Sequence, residues 1–191
     1  GKLIANISPE NFEGNTFNFE FPVAALKPNH DIHLQLQIPN PKLWWPNGMG
    51  EQNLYRLDTS FLLDGENEAQ YNSTTFGLRS IEMAPFPEGE RATLYNWTFI
   101  VNGQPMFVKG TGWSTIDALM DFSSDQYNRF LTMAKKQHIQ ILRAWGGGIP
   151  ETDEFFDLCD RYGIMVFQEW PTSWDSHNIQ PFNALEETVR L

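Results

Sequence analysis

Residues 139–155, IQILRAWGGGIPETDEF, constrain this chain more than any other stretch. A short apolar run reaches Arg143 and Trp145, three glycines follow, and an acidic start opens an amphipathic run. Strand, glycine turn and helix in that order make a βα unit. In folds built from such units, ligands meet the residues at the carboxyl ends of the strands. Arg143 and Trp145 stand two apart, so their side chains leave one face unless the strand ends between them. An arginine there can orient a carboxylate through its planar fork, and an indole offers a stacking wall to a sugar ring. The alternative is structural, with Arg143 bridging strands and Trp145 closing the core.

Two more units of the same kind flank this one. Met106 to Lys109 reads as a first strand entering Gly110 to Trp113, and Ser123 or Ser124 then caps a helix with Tyr127, Phe130, Leu131 and Ala134 on its apolar face. Ser123 and Gln126 have capping-box spacing. Ile139 to Trp145 is the second strand, and Phe155, Phe156, Cys159 and Tyr162 line a second helix that Gly163 ends. Ile164 to Phe167 is a near-continuously apolar third strand, as a strand covered on both faces should be. It runs out in Gln168, Glu169 and Trp170, and Asn183 with Glu186 marks the cap of a third helix. Repeated strand-loop-helix units predict a parallel α/β domain. Gly146-Gly147-Gly148 has neither the spacing of a dinucleotide fingerprint nor the Lys-Ser/Thr of a P-loop, which favours a (β/α)8 barrel over a nucleotide-binding sheet. Three units cannot close such a barrel, so the sequence reads as a piece of a longer chain.

The first half has a period of two. Leu3 to Ile7, the alternating Phe17, Phe19 and Phe21, His30 to Ile38, Leu54 to Leu62 and Gln70 to Glu82 all read as strands, and together they predict part of an antiparallel sandwich lacking its first strands. Within it, PNPKLWWPNGMG (39–50) holds Trp44 and Trp45 out of a regular ladder through its prolines and glycines. One of these indoles is expected to pack across the end of the sandwich, with sugar stacking as the alternative. APFPEGE (84–90) breaks the pattern and is the expected domain boundary. Asn102-Gly103 then marks a hairpin whose return arm leads into the second domain.

Composition removes several functional classes. A formal charge of -11 over 191 residues leaves no electrostatic footprint for nucleic acid or an anionic membrane. No apolar run approaches the roughly 18 residues of a membrane span, and the first residues lack signal-peptide architecture, so the compartment stays open between soluble, periplasmic, secreted and lysosome-like. The single cysteine, Cys159, excludes an internal disulfide and reads as a buried small hydrophobe. Sequons at Asn6, Asn72 and Asn96 matter only in a eukaryotic secretory setting. The histidines His30, His33, His138 and His177 form no ligand cluster, so neither a metal nor another cofactor is expected. Glu169, leaving the end of an apolar strand, can bind a substrate hydroxyl or pair with Arg143. Asp117 either reaches the same mouth or holds its own loop through backbone amides.

The strings LWWPNGMGEQNLY (43–55), FGLRSIE (76–82), VNGQPMFVKGTGW (101–113) and LRAWGGGIPETDEFFDLCDRYGIMVFQEW (142–170) resemble glycoside hydrolase family 2, the group of β-galactosidases, β-glucuronidases and β-mannosidases, and its β-mannosidase branch in particular. The resemblance implies that 1–84 is an immunoglobulin-like β-sandwich and 85–191 the opening of the catalytic (β/α)8 barrel. Trp113 and Asp117 match the family's Asn-Trp-Ile-Pro-x-Asp loop, and Arg143 and Trp145 match Leu-Arg-Val-Trp-Gly-Gly-Gly. Glu169, followed by Trp170, stands where β-mannosidases carry Asp in Trp-Gln-Asp-Phe. Gly112 replaces the Asn of the first motif, Ser114-Thr115 replaces Ile-Pro, and PTSWDSH replaces a Met-Phe-Ala-Cys run. The resemblance implies retaining hydrolysis of a terminal β-linked sugar by two glutamates about 5 Å apart. Those glutamates follow the family's fourth strand and end its seventh, outside these residues. The chain alone is expected to be inactive, to contribute Trp113, Asp117, Arg143, Trp145, Glu169 and Trp170 to substrate binding, and to need the missing sandwich and barrel segments of its parent. A non-catalytic carbohydrate-binding module is the competing class.

Overall fold

The computed structural model describes residues 1–23, 33–66, 68–85 and 97–169. Its elements are mostly β, and the chain divides into two compact units, Gly1–Phe107 and Val108–Leu191.

In the first unit, β1 (Lys2–Pro9), β2 (Phe17–Pro22), β3 (Leu54–Leu62) and β4 (Gln70–Gly77) form an antiparallel sheet in the order β2-β1-β3-β4. The alternation that marks these strands in the sequence also fixes their register, because a slip of one residue would turn every apolar side chain to the other face. Ala5 and Ile7 of β1 are buried, and β1 is paired on both sides. The sequence runs one strand through 70–82, but it is two. β4 stops at Gly77, and β5 (Ile81–Pro85) joins β6 (Trp97–Val101) and β7 (Gln104–Met106) in a second antiparallel sheet. Gly77 lies so close to the Trp44 indole that a Cβ there would come within 2.8 Å of the Trp44 Cβ.

Residues 33–38 form no strand, although 30–38 alternates as one should; 30–32 lie outside the described residues. Alternation supplies an apolar face but not a partner strand, and no ladder among the described residues includes 33–38. Leu34 is consequently exposed.

Trp44 is 1% exposed, carries the Arg79 guanidinium 4.6 Å above its ring, and accepts a hydrogen bond at its carbonyl from Asn102 Nδ2. It is core, and only the half-buried Trp45 keeps any open surface.

The Asn102-Gly103 hairpin is present. Both residues have positive φ, 49° and 79°, as the tight two-residue turn between twisted strands demands. β6 pairs with β5 on its other side, and this keeps the hairpin in the first compact unit. The units therefore part at Phe107–Val108, whereas the sequence sets its boundary in 84–90. The return arm β7 ends at Met106, and the first strand of the second unit is β8 (Gly110–Trp113), not Met106–Lys109.

The second unit runs β8, α1 (Ser124–Lys136), β9 (Ile141–Ala144), α2 (Asp153–Tyr162), β10 (Met165–Gln168). Its strands are parallel and in sequential order, with Gly110 beside Ile141 beside Met165 and Trp113 beside Ala144 beside Gln168. The helices pack through Tyr127 and Leu131 of α1 and Phe155 and Cys159 of α2, around a core completed by Leu142 and Ile164. Thr152 caps α2 by accepting from the Phe155 amide, and Gly163 ends it in the left-handed conformation. Ser123 is the N-cap of α1 but makes no capping hydrogen bond with its side chain. Asp121 accepts from the Ser123 amide at 3.1 Å, and its carboxyl is held below the usual range chiefly by Ser123. The third helix predicted from Asn183 lies outside the described residues.

Candidate functional site

The carboxyl ends of β8, β9 and β10 bring together four of the residues that the sequence marks. Arg143 faces outward on β9, between Gly112 of β8 and Phe167 of β10. Glu169 follows β10 by one residue, and its amide extends the parallel ladder to the Ala144 carbonyl at 3.0 Å. Its side chain thereby returns to the Arg143 face. Arg143 Nε donates to Glu169 Oε1 at 2.5 Å, and the Gly146 amide donates to Oε2 at 3.0 Å. Glu169 is thus held at both oxygens. Of the two functions open to it in the sequence, pairing with Arg143 is the one observed.

The Gly146 amide, followed by Arg143, holds the Glu169 carboxyl below the usual glutamate range. The Arg143 side chain remains 59% exposed. Gly112 adds to that exposure, since a Cβ built on it meets no atom within 4 Å.

Trp145 follows the last residue of β9, as Glu169 follows the last of β10. Its amide donates to the Trp113 carbonyl at 3.0 Å, and its carbonyl accepts from Gly148 to close the glycine turn. Trp145 is 36% exposed.

Trp113 ends β8 half-buried, its ring 5.1 Å from that of Phe155. Its indole Nε1 donates to Glu151 Oε1 at 2.8 Å. Asp117 shapes the loop after β8, its Oδ1 accepting from the Leu119 amide at 2.6 Å and its carbonyl from the Met120 amide. Trp170 and His177 lie outside the described residues.

Glu151 is the residue that sequence reading misses. It accepts from Trp113 at one oxygen and from the Tyr127 hydroxyl, at 2.6 Å, at the other. Burial, followed by the hydrogen bond to Glu151, pushes the Tyr127 phenol up to about 12. The only local signal is an acidic residue between Pro150 and the Thr152 cap, where it reads as a favourable charge near a helix start.

Among the described residues no group of His, Cys, Asp and Glu could hold a metal ion, and no helix is long and apolar enough to cross a membrane. A cavity of about 280 Å³ belongs to the first unit, lined in part by Phe12, Asn15, Lys42 and Tyr55, and contains none of the strand-end residues.

Residues 2–79 match the sequence profile of glycosyl hydrolases family 2. The chain is 36% identical over 130 residues to a mannosylglycoprotein endo-beta-mannosidase of Lilium longiflorum, covering 68% of this chain and 13% of that protein. It is 34% identical over 134 residues to beta-mannosidase B of Emericella nidulans, covering 70% of this chain and 15% of the relative. The crystal structure of the β-D-mannosidase from Dictyoglomus thermophilum superposes with a TM-score of 0.69 at 31% identity, over 99% of this chain and 23% of that one. A Bifidobacterium dentium β-glucuronidase shares the fold, with a TM-score of 0.69 at 21% identity over 89% of this chain and 25% of its own. The chain thus spans less than a quarter of the length of the mannosidases it resembles. With a matching profile in its first unit and β-mannosidases similar to it across both, the chain belongs to glycosyl hydrolases family 2.

Proposed function

We propose that this chain is part of a retaining exo-glycoside hydrolase that removes a terminal β-linked sugar, with a β-mannoside as the preferred substrate. The first unit is then an immunoglobulin-like sandwich, and the second is the first three βα units of a (β/α)8 barrel. The observation that carries the reading is the Arg143–Glu169 pair at the carboxyl ends of three sequential parallel strands, in a chain 31% identical to a β-mannosidase of solved structure.

In this reading the pair forms part of the floor of the sugar site. Glu169, ionised and fixed, accepts from sugar hydroxyls, Arg143 donates to ring substituents, and Trp145 stacks on the apolar face of the ring. Trp113, Asp117 and Trp170 complete the set. None of them breaks the bond. The acid/base and nucleophile are two glutamates about 5 Å apart, supplied by the part of the relatives' length that this chain does not span. A β-galactosidase or another β-glycosidase of the group is the nearest alternative in chemistry. A non-catalytic carbohydrate-binding module using Trp44 and Trp45 is disfavoured, because Trp44 is buried under Arg79.

A second reading, endo cleavage within a glycan, is favoured by the name of the Lilium relative. The test is to give the longer protein that carries this chain a panel of nitrophenyl β-mannoside, β-galactoside, β-glucuronide and β-glucosaminide, and then a β-mannose-capped oligosaccharide. Release of free mannose with retained anomeric configuration supports the exo reading. Release of an intact oligosaccharide with no free mannose replaces it with the endo one, and hydrolysis of another sugar alone overturns the choice of mannoside.

A further inference from the structure

The cavity of about 280 Å³ in the first unit takes no part in the strand-end site, and its lining mixes aromatic walls with a polar mouth. Tyr55, 3% exposed, is its floor, with the half-buried Phe12 and Phe17 beside it and Glu13, Asn15 and Asn40 exposed around the mouth. Apolar walls under a few convergent polar groups are the general form of a small-ligand site, and this volume lies at the small end of the usual range.

Both sides of the pocket are tied to the chain around the start of β3. On one side Asn11, next to Phe12, accepts from the Leu54 amide at 2.9 Å and donates to the Gln52 carbonyl at 2.8 Å. On the other, the Lys42 amide donates to the Tyr55 hydroxyl at 2.8 Å, and Asn53 Nδ2 donates to the Leu43 carbonyl at 3.0 Å. The Phe12 ring meets Tyr55 edge-on at 4.9 Å, and Phe76 stacks on Tyr55 at 5.8 Å. A pocket held in this way is formed before a ligand arrives, so little ordering cost falls on binding.

The polar groups at the mouth are unspent. The side chains of Glu13, Asn15 and Asn40 bond to no other described residue, and the Tyr55 hydroxyl, already an acceptor, donates to none of them. Two amides, a carboxylate and a phenol offer donors and acceptors together, which is what sugar hydroxyls, each donor and acceptor at once, require. The Lys42 ammonium sits 5.2 Å over the Phe12 ring, and with Glu13 it leaves the lining without net charge. The lining has no guanidinium fork for an anion and no acidic cage for a cation. An uncharged ring with one apolar face matches both the aromatic walls and the polar mouth.

We propose that this pocket is a second, non-catalytic sugar site that holds one neutral sugar ring of a glycan, separately from the strand-end residues. The choice of mannose as that ring rests on the reading of the longer protein as a β-mannosidase; the pocket itself does not. A single ring offers few atoms to grip, so the affinity is in the millimolar range.

Hydrogen exchange followed by mass spectrometry on the longer protein locates the binding directly, with mannotriose as the probe and cellotriose as a second neutral sugar. With mannotriose, the amides of 11–17 and 38–42 are expected to exchange more slowly than without sugar, whatever happens at the strand ends. Asn15→Ala, at an exposed position, is expected to weaken the binding read at those amides in a sugar titration roughly three- to ten-fold, as one lost hydrogen bond implies. Asn40→Gly makes the same test, because glycine keeps the positive φ of 47° and removes the amide side chain. Slowing by cellotriose alone upholds the sugar pocket and overturns the choice of mannose. Slowing at the strand ends but not at 11–17 and 38–42 overturns the pocket while the strand-end reading stands. Slowing at 11–17 and 38–42 that is undiminished in both variants also overturns it. If those amides already exchange as slowly as those of β1 and β3 before sugar is added, another segment of the longer protein fills the pocket, and the proposal falls.

Discussion

Glu169 keeps its negative charge because donors reach both of its oxygens, Gly146 from the backbone and Arg143 from its side chain. A carboxyl lowered in this way contributes stability that is fully present above its unfolded value and is lost as pH falls through the folded one. Thermal unfolding of the wild type and Glu169→Gln is therefore expected to differ at neutral pH, with the gap closing only as pH falls below the usual glutamate range and through the lowered folded value. A gap that never narrows on acidification before the wild type itself unfolds would contradict the ionic role. Cys159 shows the opposite displacement: it is 1% exposed on α2, and burial foremost, with Asp160 adding to it, pushes the thiol up. A thiol reagent at neutral pH should label the native protein far more slowly than the unfolded chain, and equal rates would mean that α2 opens freely. The cysteine was readable as a buried hydrophobe from its helical neighbours alone. Glu151 was not, because a carboxylate before a helix cap looks the same whether it serves the helix dipole or holds an indole from another element.

At the scale of elements, the parallel sheet depends on a close approach of β8 to β9. A Cβ on Gly110 would lie 2.3 Å from Ile141 Cγ2 and 2.7 Å from its carbonyl oxygen, and the latter is backbone that cannot step aside. Gly110→Ala is expected to destabilise the chain by about 1–3 kcal/mol, the usual cost of overpacking. Gly112→Ala, two residues on and facing open space, should stay within about 0.5 kcal/mol. Chemical denaturation of the two variants checks the contrast, and equal midpoints would contradict the packing described here. The α2 boundaries were legible because both are local chemistry, a threonine oxygen at one end and a left-handed glycine at the other. The capping-box spacing at Ser123 located the N-cap but not its bonding, since the Ser123 side chain makes no capping hydrogen bond. Alternation misled in the same sense at 33–38, since it specifies a face and leaves the partner unspecified.

Across the whole molecule, the parallel order of β8, β9 and β10 follows from the repeated strand-turn-helix pattern, and the antiparallel first sheet follows from its period of two. The division at Phe107–Val108 was harder to read. The prolines and glycine of 84–90 interrupt the sequence pattern, but strand pairing across the interruption, β5 with β6, determines which residues stay together. The strand-end site was legible in its members, Arg143 and Glu169, and less so in their roles, because the same two residues serve equally as a pair or as separate substrate ligands until their distance is known. The most direct measurement is kcat/KM for nitrophenyl β-mannoside by the longer protein, wild type against Arg143→Ala, with folding checked by thermal unfolding. Hydrolysis by the wild type, with a loss of about 10- to 100-fold in the folded variant, is the result predicted for one charge-assisted contact and its released carboxylate. Absence of β-mannoside hydrolysis by the wild type, or a folded Arg143→Ala variant as active as the wild type, would contradict the assignment of this strand-end pair to the sugar site.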